Sequence, residues 1–556
     1  MRHLRYTLAL IVPAALCACA DHAYDPDAPA IDPTAPRIHI TSPERGTFAG
    51  EIGKIAVTGV ATDDTLVTAV EVNGVEAYVA EDGTFAATVP VVPGTNLLHA
   101  IARDAQGNTG KETRAVVVGG LAKLDGAVVD AVTVAMSAQT FDALGTGAGN
   151  FITTADLGAL VSPMNPVLDL GTTNGQPDCL YAQAAITALD VGNAVVKLEP
   201  QRGGLGLDVT LDDVSVALHL QWAVACADGS RDVTVTASQL HVTGLLGIAL
   251  AGGQFQIALQ NPDVTITNFN VDLGGIPQQI IDLLDLDTRL GPVLAFATEK
   301  LVTPMLNNAL AGLNQTKTID VLGKPVDILI APSRIELDVT GALVQLNTTL
   351  RAKNDTAAPG YVYVANTLPA MDTSHGFQIA IADDAANQLL ASFWGAKGMD
   401  IGLDLKTGPY GEVGKLYDRV ELQAAVPPFV DASGTGLKLT IGDILATFKK
   451  GDAIATQVCV NAELTLNVTS DTSGALHLDV GTPTTYVDIL DENVDGANQL
   501  SNAEFEAISS FALSRIVAFG SGAVGAIPLP SAGGVGLHDV SIGEQAGYVV
   551  VDGEIQ

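Results

Sequence analysis

The sequence predicts a mainly β protein with a few long helices, an α+β fold built from one small β-sandwich and two larger, related halves. An alternation of apolar residues leads into a helix start at Val134, and it returns at Ile379, 245 positions later. Leu144 and Leu389 coincide at the same spacing. Long strand-like segments and a second helical stretch follow each occurrence. Solenoid repeats have periods of about 20 to 50 residues, so a unit this long predicts two pseudo-symmetric domains instead.

The composition allows large hydrophobic cores. Of the 556 residues, 47% are hydrophobic and 16% are charged, which excludes a disordered chain. The mean hydropathy of +0.32 is high, yet no apolar run approaches the roughly 18 residues that a membrane-spanning helix needs. Internal cavities lined by apolar side chains would accommodate this excess, and a solid β core would do so equally well.

The charge limits the classes of partner. The formal net charge is -35, from 62 acidic and 27 basic residues. Such a surface repels nucleic acids and anionic lipid headgroups, so neither is an expected partner. A lipid with a neutral headgroup, another hydrophobic small molecule or a divalent cation is compatible with it, and the sequence indicates no protein partner. The alternative interpretation is that the charge only keeps the protein soluble.

Residues 1–18 predict an export signal. Arg2 and Arg5 precede an apolar stretch, and the LCAC sequence that follows resembles the signal of bacterial lipoproteins, with Cys19 as the acceptor. The resemblance implies lipid attachment at Cys19, and Ala20 after it implies an outer-membrane lipoprotein of the cell envelope, on either the periplasmic or the surface face. Acyl chains contribute about 0.8 kcal/mol per buried methylene and would anchor the chain without a spanning helix. An ordinary secretory signal with free release is the alternative.

Export permits disulfide bonds, and three cysteines lie in the predicted folded part, beyond Cys19. Cys179 and Cys226 lie in the same half, and a disulfide between them would stabilise that half by roughly 4 kcal/mol. Cys459 stands between two valines, which predicts a buried free thiol. The cysteines show no CxxC spacing, so a zinc site is not expected.

The segment after the signal has two parts. Residues 19–36 are rich in Pro, Ala and Asp and predict an extended tether. Residues 37–118 alternate in short strands with turn signals, which predicts a β-sandwich. Their Asn-Gly hairpin, Asp-Gly-x-Phe turn and closing ARDAQGN stretch resemble bacterial immunoglobulin-like domains. The resemblance implies a spacer or an adhesion module, and we expect the spacer.

The two halves follow. In the first, residues 120–318, a helix is expected over 138–144 and again over 154–161, interrupted by the glycine-rich GTGAGN. Later in this half the apolar face of a strand changes phase at 212–213, which predicts a turn or a bulge. Residues 319–370 alternate and contain prolines, as expected for strands that join two halves in a central sheet or linker. Residues 371–556 repeat the plan, with a second helix predicted to begin at Phe505.

Three stretches carry a resemblance to a known family. They are VTVAMSAQTFDALGTGAGNFITTADLGALV, GFQIAIADDAANQLLASFWGAKGMDIGL and IPLPSAGGVGLHDVSIGEQAGYVVVDGEI. Their order and duplication resemble the bactericidal/permeability-increasing and lipopolysaccharide-binding proteins of the tubular lipid-binding (TULIP) superfamily. The resemblance implies two barrels of twisted antiparallel sheet, each wrapped around a helix, joined by a central sheet and enclosing apolar tunnels. The bactericidal members bind lipid A through clustered Lys and Arg, and this chain lacks such a cluster, so we do not expect lipopolysaccharide killing.

The same resemblance implies ligand-binding positions on the two helices. The candidates in the first tunnel are Phe141, Leu144, Phe151, Leu157 and Leu160. The candidates in the second are Leu389, Leu390, Phe393 and Trp394. Apolar residues on a helix inside a barrel also form the core of a solid fold, and this alternative stays open for each of them.

An acidic stretch near the end resembles an EF-hand calcium loop. It would place three oxygen ligands around the ion and a fourth, from Glu504, two positions late. The first three candidate ligands are Asp491, Asn493 and Asp495. The alternative is an acidic cap on the following helix. Calcium is the one cofactor that the sequence suggests.

No catalytic motif is present. The sequence has no HExxH pair, GxSxG elbow or glycine-rich phosphate loop, and Asp383 and Asp384 at a helix start are expected to complement its dipole. We therefore expect a membrane-anchored, non-enzymatic protein that binds a lipid or another long apolar ligand, and the sequence leaves open whether it transfers or stores that ligand. The alternative is an adhesion or structural surface protein with solid barrels, in which the immunoglobulin-like module makes the contacts.

Overall fold

The computed structural model describes residues 34–173, 176–252, 254–284, 315–321, 323–407, 413–434, 436–470, 476–490, 500–510 and 537–555. The export signal, Cys19 and most of the tether lie outside these ranges. The prediction of a mainly β protein is confirmed, because strands greatly outnumber helices in the described chain. Among these residues, no helix has the length and apolar character needed to cross a membrane.

A two-sheet sandwich comes first. Its strands are β1 (Arg37–Ser42), β2 (Thr47–Phe48), β3 (Lys54–Thr62), β4 (Val67–Val72), β5 (Val75–Glu76), β6 (Tyr78–Val79), β7 (Thr84–Pro90), β8 (Gly94–Asp104) and β9 (Thr109–Val118). The sheets have the orders β1-β3-β7-β6 and β2-β9-β8-β4-β5. Every second residue of β7 is buried, which places Phe85 in a core shared with Ile40 and Leu98. The β4–β5 hairpin turns at Asn73 and Gly74, which both have positive φ.

The rest of the described chain contains the following elements. They are β10 (Leu121–Ala122), β11 (Val128–Ser137), α1 (Ala138–Thr154), α2 (Leu157–Val161), a 3-10 helix (Ser162–Met164), β12 (Leu168–Thr173), β13 (Gln176–Asp190), β14 (Asn193–Gln201), β15 (Gly204–Val224), β16 (Ala227–Ala251), β17 (Gln254–Thr267), β18 (Asn270–Val271), α3 (Gln278–Leu284), β19 (Gln315–Val321), β20 (Lys324–Leu337), β21 (Gly341–Ala352), β22 (Tyr361–Val362), β23 (Phe377–Ala382), α4 (Asp383–Gly395), β24 (Ile401–Asp404), α5 (Val413–Leu416), β25 (Arg419–Ala424), β26 (Phe429–Asp431), β27 (Leu437–Lys450), β28 (Ala453–Ser470), β29 (Leu476–Val480), β30 (Thr484–Leu490), β31 (Leu537–Gln545) and β32 (Tyr548–Ile555).

A seven-stranded sheet, β19-β20-β21-β11-β23-β32-β31, joins the two halves. Strands β11 and β23 carry the two copies of the sequence repeat, and they pair antiparallel with Val134 opposite Ile379. Residues that correspond in the repeat therefore face each other across a local pseudo-two-fold axis. The helices that follow, α1 and α4, begin at Ala138 and Asp383, again 245 positions apart.

Each half also has a sheet of its own, and the two have the same connectivity. The first has the order β12-β13-β15-β16-β17, with β14 paired to β15 and β18 paired to β16. The second has the order β24-β25-β27-β28-β29, with β26 paired to β27 and β30 paired to β28. The repeat in the sequence thus corresponds to a repeat of strand order.

Helix α1 differs from the prediction, because the glycine-rich stretch does not interrupt it. The helix continues from Ala138 to Thr154. A Cβ atom at Gly145 would lie 2.6 Å from the carbonyl oxygen of Val196 on β14, and one at Gly149 would lie equally close to that of Ala194. The glycines allow the helix backbone to pack directly on the strand, and this packing offsets their low helix propensity.

The predicted phase change lies in the middle of one strand. Asp213 of β15 has a φ of +51°. Up to Asp212 the strand pairs with β14, and from Ser215 onward it pairs with β13. The apolar face changes phase where β15 exchanges one neighbour for another, so the irregularity is a local distortion within a continuous strand rather than a turn.

The cysteines have distinct environments. A disulfide joins Cys179 on β13 to Cys226 in the turn between β15 and β16. Cys459 on β28 is a buried free thiol. Burial raises the pKa of this thiol to about 12, so it is unreactive at neutral pH while it remains covered.

Candidate functional site

A cavity of about 600 Å³ lies between the sheet of the first half and the central sheet. The β14–β15 turn, the end of β16, the β20–β21 hairpin and the segment before β23 form its walls. Five half-buried apolar side chains line it: Ile248, Ile335, Leu337, Leu343 and Met371. The charged and hydroxyl side chains of the lining are Arg202, Glu336, Asp338 and Thr373.

Asp338 shapes the hairpin end that borders the cavity. Its Oδ1 accepts hydrogen bonds from the hydroxyl of Thr340 at 2.6 Å and from the Thr340 amide at 2.8 Å, and these bonds lower the pKa of the carboxyl. At the next position, a Cβ atom on Gly341 would lie 2.0 Å from the carbonyl oxygen of Met136. Only glycine permits this approach, so the turn is held against β11 beside the cavity.

The rim of the cavity carries charges of both signs. Glu336 forms an ion pair with Arg334 on the same strand, and Asp338 is exposed. Arg202 belongs to the opposite wall, beside Gly203, whose φ of +88° makes the β14–β15 turn. A ligand with an apolar body and a polar end would contact apolar side chains inside the cavity and charged, hydrated groups at its rim.

The side chains predicted to line a first tunnel do not border this cavity. Phe141 and Leu157 are buried in a core cluster that joins α1 and α2 to the first-half sheet and the central sheet. Leu144 is half-buried against the same cluster, and Phe151 is 36% exposed. The side chain of Leu160 lies outside the described part of the structure. A ligand-binding role for these residues stays a prediction.

The residues predicted to line a second tunnel lie on α4, and their side chains contact several other elements. Leu389 and Phe393 pack against side chains of β20 and β21, and Leu390 packs against those of β27 and β28. Trp394 donates its indole N–H to the carbonyl oxygen of Ala424 at 2.7 Å. These contacts hold the helix in place, and a ligand-binding role for the set also stays a prediction.

The two aspartates at the start of α4 do more than complement the helix dipole. Asp383 accepts hydrogen bonds from the amide of Ala432 at 2.9 Å and from the side chain of Asn366 at 2.7 Å. Asp384 accepts one from the amide of Val364 at 3.2 Å. Burial raises the pKa of both carboxyls, that of Asp384 to about 7. The pair joins α4 to two neighbouring segments of the chain.

Of the four predicted calcium ligands, Glu504 is the one that lies within the described residues, and its carboxylate caps a helix. The carboxylate of Glu504 accepts hydrogen bonds from the amide and the hydroxyl of Ser501, both at 2.8 Å, and this pair forms a capping box on the helix over 502–510. Within the ranges described, no three His, Cys, Asp or Glu side chains are grouped to hold a metal ion. The other candidate ligands lie outside the described residues: Asp491, Asn493 and Asp495.

Sequence reasoning missed the residues that line the cavity. Ile335 and Leu337 alternate with Glu336 as in any half-buried strand, and Met371 lies in a segment without periodicity. The one available signal was the sequence Asp-x-Thr-Gly at 338–341, which is typical of a tight turn. It marks the hairpin end and not the space beside it.

A protein-family model matches the first part of the described chain. Residues 36–119 match the family described as glucodextranase, domain B. This range coincides with the two-sheet sandwich. No curated protein matches the chain.

Several solved structures are similar at low identity. Lipopolysaccharide binding protein is 14% identical with a TM-score of 0.37, over 77% of this chain and 99% of that one. P47 of Clostridium botulinum E1 is 7% identical with a TM-score of 0.20, over 76% and 98%. P47 from Clostridium botulinum A2 is 9% identical with a TM-score of 0.20, over 76% and 96%. Likenesses at this level give no information about a ligand.

Proposed function

We propose that this protein binds the apolar part of a lipid, or of another long apolar molecule, in the cavity between the first-half sheet and the central sheet. The observation that carries the proposal is the cavity itself, an open cavity in which apolar side chains of three separate elements, Ile248, Leu343 and Met371, lie beside polar and charged groups. Its volume of about 600 Å³ lies within the range of about 300 to 1,000 Å³ typical of ligand sites.

The charges favour a ligand with a neutral or zwitterionic polar end. The rim has Arg202 on one wall, whereas Glu336 and Asp338 lie on the other. The whole chain carries a formal net charge of -35, which disfavours anionic molecules at a distance. The binding is non-enzymatic in this proposal, and the protein carries its ligand at the cell envelope, anchored through Cys19.

Native mass spectrometry of the chain purified without detergent tests this function. The expected spectrum contains a species heavier than the polypeptide by the mass of one lipid-sized molecule, which is released by organic solvent. The chain would then be incubated with a long-chain fatty alcohol, which should restore the adduct. A ligand-free mass both before and after this incubation would contradict the proposal and favour the adhesion alternative.

A further inference from the structure

The sandwich, β1 to β9, contacts the second half through hydrogen bonds between the backbone of β9 and side chains of the second half. The amide of Thr113 on β9 donates to both carboxylate oxygens of Asp488, at 3.1 and 3.2 Å. Two residues on, the amide of Ala115 donates to the carboxylate of Asp443 at 3.1 Å. The side chain of Asn461 donates to the carbonyl oxygen of Thr113 at 3.3 Å. Side chains of the second half thus take the place of a neighbouring strand along this part of β9.

Arg45 lies at the centre of the contact. Its guanidinium pairs with Asp443, whose side chain is fully buried, with Glu112 at 3.2 Å and with Asp488 at 3.5 Å. Arg114 adds a second positive charge, 2.7 Å from Glu112. Two guanidinium groups therefore face three carboxylates, two of which belong to the second half. Separation of the two surfaces would leave each set of charges without its partners, although water could then solvate them.

Close apolar packing surrounds these charges. A Cβ atom on Gly94 of β8 would lie 2.4 Å from the ring of Phe429, and one on Gly442 would lie 2.3 Å from the Cβ of Ala115. The Phe48 ring lies 6.1 Å from that of Trp394, measured between centroids. The two surfaces are shaped to each other without room for an additional methyl group at either glycine.

We propose that the sandwich is a docked arm whose binding partner is the polar surface of the second half made by Asp443, Asp488 and Asn461. The arm and the second half move as one body, so the predicted tether from Cys19 leads to both of them together. This replaces the expected free spacer. It also occupies the β9 edge, which is consequently closed to an adhesion partner.

Amide exchange followed by mass spectrometry tests the docking in the full chain. In the wild type, the peptide over 109–118 should retain two protected amides, those of Thr113 and Ala115, beyond the ones protected by pairing with β8 and β2. Arg45→Ala on the arm and Asp443→Ala on the second half should each release these two amides, with exchange at least about tenfold faster. The peptide over 97–104, inside the sandwich, should stay protected in both variants.

Arg103→Ala is the matched control. Arg103 also belongs to the arm, but it pairs with Glu71 at 3.5 Å on an exposed face, so its loss should leave exchange over 109–118 unchanged. Labelling of Cys459 gives an independent readout. The thiol lies on the same face of β28 as Asn461. Undocking in Arg45→Ala and in Asp443→Ala should therefore raise the rate at which this thiol is modified at least tenfold.

Three results would overturn the inference. One is a wild type in which the amides of Thr113 and Ala115 exchange as fast as exposed amides. Another is unchanged exchange in both Arg45→Ala and Asp443→Ala. The third is a loss of protection throughout the sandwich in both variants, which would show that the arm has no fold of its own to dock.

Discussion

The most informative single substitution is Met371→Asp in the wall of the cavity. The Met371 side chain is half-buried there and belongs to an irregular segment, so no strand pairing depends on it. A bound apolar chain would remove water from the new carboxylate without offering it a hydrogen-bond partner. Burial of an unsatisfied polar group costs about 1–3 kcal/mol, which corresponds to a dissociation constant about 5 to 150 times higher.

Val339→Asp provides the control for charge. Val339 is 78% exposed at the tip of the neighbouring hairpin and does not line the cavity. Both variants add the same charge within the same region, so a long-range electrostatic effect would weaken binding equally in the two. Titration with a fluorescent fatty alcohol measures the affinities, and thermal unfolding checks that both variants fold. Equal affinities for Met371→Asp and wild type, or equal losses in both variants, would refute the assignment of the site.

Three other predictions concern stability and pH. Gly145→Ala should gain about 1 kcal/mol of helix propensity, but the new methyl group would lie 2.6 Å from a backbone carbonyl oxygen, which should cost more, about 1–3 kcal/mol. Denaturant unfolding should therefore show a lower free energy of unfolding for this variant and no such decrease for Thr146→Ala, at an exposed position of the same helix. Cys226→Ser should lower the free energy of unfolding of the first half by about 4 kcal/mol, as expected for a sequence separation of 47, and a reductant should then have no further effect. Burial raises the pKa of Asp488 to about 7 from about 3.9 when exposed, so the second half holds a proton on this carboxyl when the arm is docked and releases it when the arm separates. Burial also raises the pKa of Asp443 in the same contact. Docking should therefore weaken as the pH rises through 7, measured as amide exchange over 109–118 corrected for intrinsic rates, and Asp488→Asn should reduce this dependence.

The sequence was most informative where a local pattern repeats. The match of Val134 with Ile379 predicted two related units, and the same two residues pair across the central sheet. The apolar alternation depends on local periodicity, which strands impose on any half-buried chain. The number and order of strands are harder to predict from the sequence, because a long strand such as β15 pairs first with one neighbour and then with another without ending.

Features that depend on tertiary approach could not be predicted in this way. The glycines of α1 have low helix propensity, and only their contact with β14 explains why the helix continues through them. The cavity is a space between elements, and no local pattern records it. Arg45 and Asp443 are 398 positions apart, and a single sequence contains nothing that connects them.

Photo-crosslinking with a diazirine-labelled fatty alcohol would locate the bound apolar chain. We expect saturable labelling, competed by unlabelled alcohol, in peptides that contain Ile248, residues 335–343 and Met371. Met371→Asp should lose this labelling, whereas Val339→Asp should keep it. Labelling confined to other peptides, or labelling that neither saturates nor is competed, would show that the apolar ligand does not bind in this cavity.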